Sequence, residues 1–99
     1  MGGPSNPDLG QAIRGLRHER ELTIEALGFA ADIHPTYVSG IERGRRNPTW
    51  TKLRALANVL EVSVADVVRR AESATRVREG VERVIAEEEA RQDSHRASS

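Results

Sequence analysis

Apolar residues recur at helical spacing in short blocks along the chain. The clearest block holds Leu53, Leu56, Ala57 and Leu60, whose intervals of three and four residues place them on one face of an α-helix. Comparable blocks predict helices over residues 9–20, 24–31, 35–43 and 50–60, and a fifth helix after residue 63. Aromatic and β-branched strand formers are sparse beside Ala, Leu, Arg and Glu. The pattern therefore predicts an all-α fold with five helices.

Residues suited to helix N-termini precede most of these blocks. Asp8 followed by Gln11 resembles a capping box, and Ser63 with Asp66 forms another, because each pair can satisfy free amides in the first helical turn. The other predicted N-caps are Thr23 and Thr49. These signals fix where the predicted helices begin.

A tight turn separates the second and third blocks. Asp32 tolerates the left-handed backbone conformation that such turns use, and Pro35 suits the first position of a helix. Gly44 is a typical residue for ending the third helix. Residues 24–43 are therefore predicted to form two short helices joined by a turn, the helix-turn-helix arrangement.

The fifth helix carries more apolar surface than one small domain can cover. Its stripe continues to Val77, Val81, Val84 and Ile85, so these side chains need a partner surface. We expect them to form a homodimer interface, with packing back onto the same chain as the alternative. Gly80 lies within the stripe and predicts a bend or break there.

These patterns divide the chain into four segments. Residues 1–7, rich in Gly, Pro and Ser, are expected to form a flexible arm, and residues 8–70 a compact domain. Residues 71–91 are expected to form a helical extension for dimerisation, and residues 92–99 a disordered tail.

Composition excludes several classes of function. The chain contains no cysteine, and its three histidines are too scattered to predict a metal site. No apolar run reaches the roughly 20 residues that span a bilayer, and the first residues lack a signal-peptide pattern. We expect a cytoplasmic protein with no metal, cofactor, membrane contact or small-molecule substrate. No arrangement of residues typical of an enzyme active site is present.

The charges are balanced in number but not in position. The chain has 15 basic and 15 acidic residues, yet the segment from Arg43 to Arg54 contains five cations and no acid. In contrast, Glu87, Glu88 and Glu89 are consecutive. One surface can therefore be basic on a neutral protein, as contact with a polyanion requires.

The third predicted helix has two different faces. Val38 and Ile41 lie on one side, where they would meet the core. The opposite face, at intervals of three and four residues, carries Thr36, Ser39, Gly40 and Arg43. Short polar side chains, a small residue and an arginine suit a helix that enters the major groove of DNA.

Longer runs of sequence carry a family resemblance. Residues 22–49 read LTIEALGFAADIHPTYVSGIERGRRNPT, and residues 53–67 read LRALANVLEVSVADV. Both resemble the Cro and phage-repressor family of helix-turn-helix domains, which implies a five-helix, lambda-repressor-like DNA-binding fold. The segment TYVSGIER followed by Arg46 and Asn47 is most similar to the controller proteins of restriction-modification systems.

The resemblance implies roles for particular residues. It places one group where the family reads base edges: Thr36, Tyr37, Ser39, Gly40 and Arg43. It places a second group where the family contacts phosphates or the groove: Thr23, Ile24, Arg45, Arg46, Asn47 and Thr49. It also implies a structural ion pair between Arg17 and Glu42.

Four positions depart from the family pattern. Ile24 replaces the usual glutamine, and Gly28 replaces an alanine and is expected to loosen helix two. Asp32 replaces the turn glycine, and Pro35 brings a residue without a backbone donor to the start of the third helix. The first two departures are expected to lower the affinity for DNA, and Pro35 leaves the base preference at that position unpredicted.

Together these observations predict a transcription regulator, a repressor or controller protein, that binds double-stranded DNA. It is expected to act as a homodimer on a two-fold operator. A protein interaction module or an antitoxin with the same fold is the alternative. Trp50 is expected to belong to the core.

Overall fold

The computed structural model describes the backbone of residues 6–98 and the side chains of residues 6–93. It contains five α-helices: α1 (Asn6–Glu19), α2 (Ile24–Ala31), α3 (Pro35–Glu42), α4 (Trp50–Val59) and α5 (Val64–Ser98). The described part of the chain has no strand. The predicted all-α class with five helices is confirmed.

The core lies where all five helices meet. The largest fully buried side chains come from every helix and are Ile13, Leu27, Ile41, Leu56, Leu60, Val38 and Val67. Each contributes about 1.5 to 3 kcal/mol by leaving water. α1 packs against α3 and α5, and α2 packs against α3 and α4. The α2–α3 pair is therefore held from behind by the other three helices.

The helix starts follow local capping chemistry at three of the predicted positions. The hydroxyl of Thr23 accepts a hydrogen bond from the amide of Ala26 at 3.0 Å, and that of Thr49 accepts from the amide of Lys52 at 3.3 Å. Ser63 and Asp66 bond each other's amides at 3.0 and 3.1 Å, as the capping box requires. The hydrogen bonds from Ser63 lower the pKa of Asp66.

The start of α1 differs from the prediction. The helix begins at Asn6, so Asp8 lies within its first turn and does not cap it. Its carboxylate is buried and accepts hydrogen bonds from the Thr75 hydroxyl at 2.7 Å and from Arg78 Nη1 at 2.5 Å. The hydrogen bond with Asp8 raises the pKa of Arg78. The predicted arm therefore loses residues 6 and 7 to α1, and residues 1–5 lie outside the described chain.

α5 also differs from the prediction, because it runs without interruption for 35 residues. Gly80 lies within it and causes no break. One glycine costs a helix only about 1 kcal/mol relative to alanine, which the helix-forming residues on both sides offset. The helix continues through residues 92–98, where a disordered tail was predicted. Ser99 lies outside the described residues.

No helix described here contains an apolar stretch long enough to cross a lipid bilayer.

Candidate nucleic-acid interface

α3 presents one face to the core and the other to solvent. Val38 and Ile41 are buried, at 0% and 1% exposure. Thr36 and Arg43 are exposed, and Ser39 is half-buried. The polar face of the helix is therefore accessible from outside, as its spacing predicts.

The turn before α3 sets the position of this helix. Asp32 adopts the left-handed conformation with φ of 57°, and Ile33 donates its amide to the Gly28 carbonyl at 2.8 Å. A Cβ on Gly28 would lie 2.5 Å from the Ile33 carbonyl oxygen. Gly28 was expected only to loosen α2, but it gives the turn the room it needs.

The N-cap of α3 was not predicted from the sequence. His34 Nδ1 accepts a hydrogen bond from the Thr36 amide at 3.1 Å, and Pro35 follows as the first helical residue. Histidine is not among the strong N-cap residues, so the residue type at this position does not predict a cap. The role of Pro35 at the helix start does agree with the prediction.

The loop after α3 folds back onto Gly40. The amides of Arg45 and Arg46 both donate to the Gly40 carbonyl, at 2.9 and 3.1 Å. A Cβ on Gly40 would lie 2.7 Å from Arg46 Cγ. Within the chain, the missing side chain of Gly40 therefore makes room for Arg46. Gly44 ends the turn with a positive φ of 76°.

Tyr37 organises the cations beside α3. Lys52 Nζ lies 3.9 Å from the centre of the Tyr37 ring, and Arg46 Cζ lies 5.4 Å from it. Both distances are typical of cation–π contacts. The Tyr37 hydroxyl donates to the Asn47 carbonyl at 3.4 Å. The ring thus ties the loop and the start of α4 to α3.

The remaining residues implied to contact phosphate or the groove lie on the loop, at helix N-termini or, for one residue, against the core. Arg45, Arg46 and Asn47 are exposed on the loop. Thr23 and Thr49 are exposed at the N-termini of α2 and α4, where their hydroxyls already serve as caps. Ile24 differs from these, because its side chain packs against the core.

The cations of this surface have no acidic partners among the described side chains. Among the side chains that the structure describes, no carboxylate lies within ion-pair distance of the basic residues Arg43, Arg45, Arg46, Lys52 and Arg54. We call these five residues the basic segment. Most other arginines, by contrast, pair with acids, among them Arg17, Arg69 and Arg76. The basic segment therefore keeps its charge available for an external anion.

Trp50 corrects one prediction made from the sequence. It was expected in the core, but its side chain is 63% exposed. It is the first residue of α4. Phe29, on α2, is 90% exposed.

Behind the interface, Arg17 and Glu42 form an ion pair. Arg17 Nε and Nη2 donate to the two carboxylate oxygens at 2.7 and 3.0 Å. Arg17 Nη1 also donates to the Leu22 carbonyl at 2.8 Å. The hydrogen bonds to Glu42 raise the pKa of Arg17, against the lowering effect of burial. This pair joins α1 to the end of α3 and leaves neither side chain on the outer face.

The apolar stripe of α5 divides into a packed part and an open part. Val67 and Ala71 are fully buried in the core. Beyond them, the four residues predicted for dimerisation are 52% to 67% exposed: Val77, Val81, Val84 and Ile85. The alternative that they fold back onto their own chain is wrong. We call these four residues the α5 stripe.

In the part of the chain whose side chains are described, no three His, Cys, Asp or Glu residues come together as metal ligands would.

Two helices joined by a left-handed turn, supported from behind and flanked by a basic loop, define a helix-turn-helix domain of the repressor type. The chain belongs to this family: the family model described as a helix-turn-helix domain matches residues 8–71.

Several regulatory proteins are similar to this chain in sequence. The immunity repressor of Bacillus phage phi105 is 35% identical over 86 residues, which cover 87% of this chain and 52% of the repressor. The control protein C.BamHI of Bacillus amyloliquefaciens is 35% identical over 60 residues, covering 60% of this chain and 74% of that protein. The chain spans about half the length of the phage repressor and of a Deinococcus deserti regulator that it also matches.

Solved structures share the fold. The clp gene regulator ClgR of Corynebacterium glutamicum has a TM-score of 0.79 and 30% identity, covering 82% of this chain and 86% of ClgR. The restriction-modification controller C.AhdI of Aeromonas hydrophila has a TM-score of 0.62 and 32% identity, covering 63% and 94%. The resemblance to controller proteins is confirmed. These relatives are transcription regulators and not enzymes.

Proposed function

We propose that this chain is a sequence-specific regulator of transcription that binds double-stranded DNA as a dimer on a two-fold operator. One observation carries the proposal: the exposed polar face of α3 lies beside the basic segment, whose cations pair with no carboxylate in the part of the chain that the structure describes. A helix of this size fits the major groove, which is about 12 Å wide. The cations beside it would then lie against the phosphates that border the groove.

The side chains of α3 suit the reading of base edges. The hydroxyls of Thr36 and Ser39 can donate or accept hydrogen bonds, and Arg43 can bond guanine with two donors. Tyr37 supports this face through its contacts with Lys52 and Arg46. Gly40 supports it by holding the loop close to the helix. We infer that Thr36, Ser39 and Arg43 supply most of the sequence specificity.

The loop and two helix ends suit the phosphate backbone. Arg45, Arg46 and Asn47 are exposed beside α3. The N-termini of α2 and α4, capped by Thr23 and Thr49, carry partial positive charge that favours phosphate. Ile24 packs inward, so we do not assign it a contact with DNA. These groups would fix the register of α3 in the groove.

The α5 stripe supports the dimer. Four exposed apolar side chains on one helix form a patch of the kind that marks a protein interface. A two-fold dimer would present two α3 helices to half-sites about 34 Å apart. The similarity to a phage immunity repressor and to control proteins supports a role at promoters. Such a role places the protein in the cytoplasm, on the nucleoid.

Selection of bound duplexes from a random pool tests this function. We expect the protein to enrich a site with two-fold symmetry. Failure to enrich any sequence would contradict the proposal and favour a protein interaction module. Co-purification with a second small protein would favour an antitoxin.

Arg46→Ala should weaken binding to the selected site by roughly tenfold or more, because it removes a cation that no carboxylate among the described side chains neutralises. If Arg46 contacts phosphate, the slope of log K against log salt should also fall by about 0.9 for each half-site. Fluorescence anisotropy at several salt concentrations measures both quantities. Arg83→Ala is the control, since it removes the same charge from an exposed position on α5. Equal losses in the two variants would contradict a specific role for Arg46.

A further inference from the structure

α5 changes the sign of its charge at the α5 stripe. Residues 64–78 contain four arginines and two acids, whereas residues 79–93 contain six acids and two arginines. Residues 77–85 carry the exposed apolar side chains, with Val81 at their middle. The apolar patch therefore lies where a basic half of the helix meets an acidic half.

We propose that two copies of the chain pair through α5 in antiparallel orientation, centred near Val81. This inference rests on the dimer proposed above and specifies its geometry. In such a pair, the acidic half of each helix lies along residues 64–78 of its partner, where the four arginines already balance acids of their own chain, and away from the partner's acidic half. A parallel pair would instead place the two acidic halves side by side.

The residues on the stripe itself favour the antiparallel arrangement. Residues seven apart occupy the same side of two interacting helices, so Ala74 and Glu88 continue the face of Val81 in the two directions. In a parallel pair Glu88 would meet the Glu88 of the second copy, and like charges at a helix interface are unfavourable. In an antiparallel pair Glu88 lies level with the second copy's Ala74.

The position of the folded domain along α5 agrees with a two-fold operator. Among the side chains of α5 that the structure describes, Ala71 is the last fully buried one, and it lies ten residues before Val81. At 1.5 Å per residue, the two Ala71 positions of an antiparallel pair are about 30 Å apart along the helices. This is close to the separation of about 34 Å between successive major grooves on one side of DNA.

Distances between spin labels test the orientation, and the absence of native cysteine makes single-cysteine variants simple to label. Glu72, Glu79 and Ala90 are exposed. Helical periodicity places all three on the side of α5 opposite the stripe. Glu79→Cys lies near the proposed centre and is the control for the width of the pair. Glu72→Cys and Ala90→Cys each lie nine residues from Val81, which adds about 27 Å along the helices in an antiparallel pair.

Pulsed electron paramagnetic resonance on the full chain should give the shortest distance at position 79. The distances at 72 and 90 should be longer by about 10 Å. Three equal distances would show a parallel pair, and this result would overturn the orientation but leave the dimer intact. No defined distance at any position, with a monomer on sedimentation, would overturn the dimer itself. DNA binding measured on the same samples separates both results from failure to bind DNA.

Discussion

Glu42→Ala should lower the free energy of unfolding by about 3 to 5 kcal/mol, the usual cost of leaving one member of a buried ion pair alone. The side chains of Arg17 and Glu42 are only 11% and 5% exposed. Without the carboxylate, Arg17 keeps its hydrogen bond to Leu22 but loses both hydrogen bonds to Glu42. Because domains of this size have about 5 to 15 kcal/mol of stability, the loss is large. Urea unfolding followed by circular dichroism measures it.

The matched control is Glu19→Ala, which removes a carboxylate from the pair with Arg70. That pair is exposed, at 57% and 41% for the two side chains, so its loss should cost less than about 1 kcal/mol. Similar destabilisation by both substitutions would show that the burial of Glu42 has no special effect. The double variant Arg17→Met with Glu42→Leu should be more stable than Glu42→Ala, since it leaves no buried charge without a partner.

The parts of the fold that depend on neighbouring residues could be predicted from the sequence. The caps at Thr23, Thr49 and Ser63 use amides three residues away, so the necessary information lies within one helical turn. The left-handed turn at Asp32 is equally local. The two faces of α3 follow from helical periodicity once the boundaries of the helix are known.

The parts that depend on distant residues were predicted less well. Aspartate is a favoured N-cap residue, but the partners of Asp8 are Thr75 and Arg78, which are 67 and 70 residues away in the sequence. Gly40 is small for a reason that only the path of the loop reveals, since the missing Cβ makes room for Arg46. The same limit applies to Gly28, which meets the turn after α2. The sequence shows that a glycine has no side chain, but it does not show which atoms lie next to that glycine in the fold.

The predicted break at Gly80 and the predicted end of α5 were wrong for a different reason. Gly80 and the polar residues after Glu89 both argued for ending the helix, and each has a weak helical preference or no apolar side chain. Most residues from 81 to 91 are Glu, Arg or Ala, which are strong helix formers, and Glu88 and Arg91 form an ion pair at 2.6 Å. Helix propensity summed over many residues outweighs a single glycine. The exposure of the α5 stripe, by contrast, agrees with the prediction that the domain alone cannot cover it.

Val81→Glu should convert the proposed dimer to a monomer, because it places a charge at the centre of the α5 stripe. Val81 is 53% exposed, so the substitution should not disturb the folded domain. The free energy of unfolding of that domain should therefore stay unchanged. The affinity for a duplex with both half-sites should fall by about 10²- to 10⁴-fold, since two linked contacts gain this much over one. The affinity for a duplex with one half-site should not change. Sedimentation equilibrium and fluorescence anisotropy give the two results.

Ala86→Glu is the matched control for this prediction. Ala86 is exposed on the same helix, and its distance of five residues from Val81 places it away from the stripe. It adds the same charge, so any general effect of acidity on DNA binding appears in both variants. If Ala86→Glu and Val81→Glu weaken binding equally, electrostatic repulsion from DNA explains the loss. If only Val81→Glu loses the preference for two half-sites, the loss must come from the stripe, because the α3 face that reads the bases is the same in both proteins.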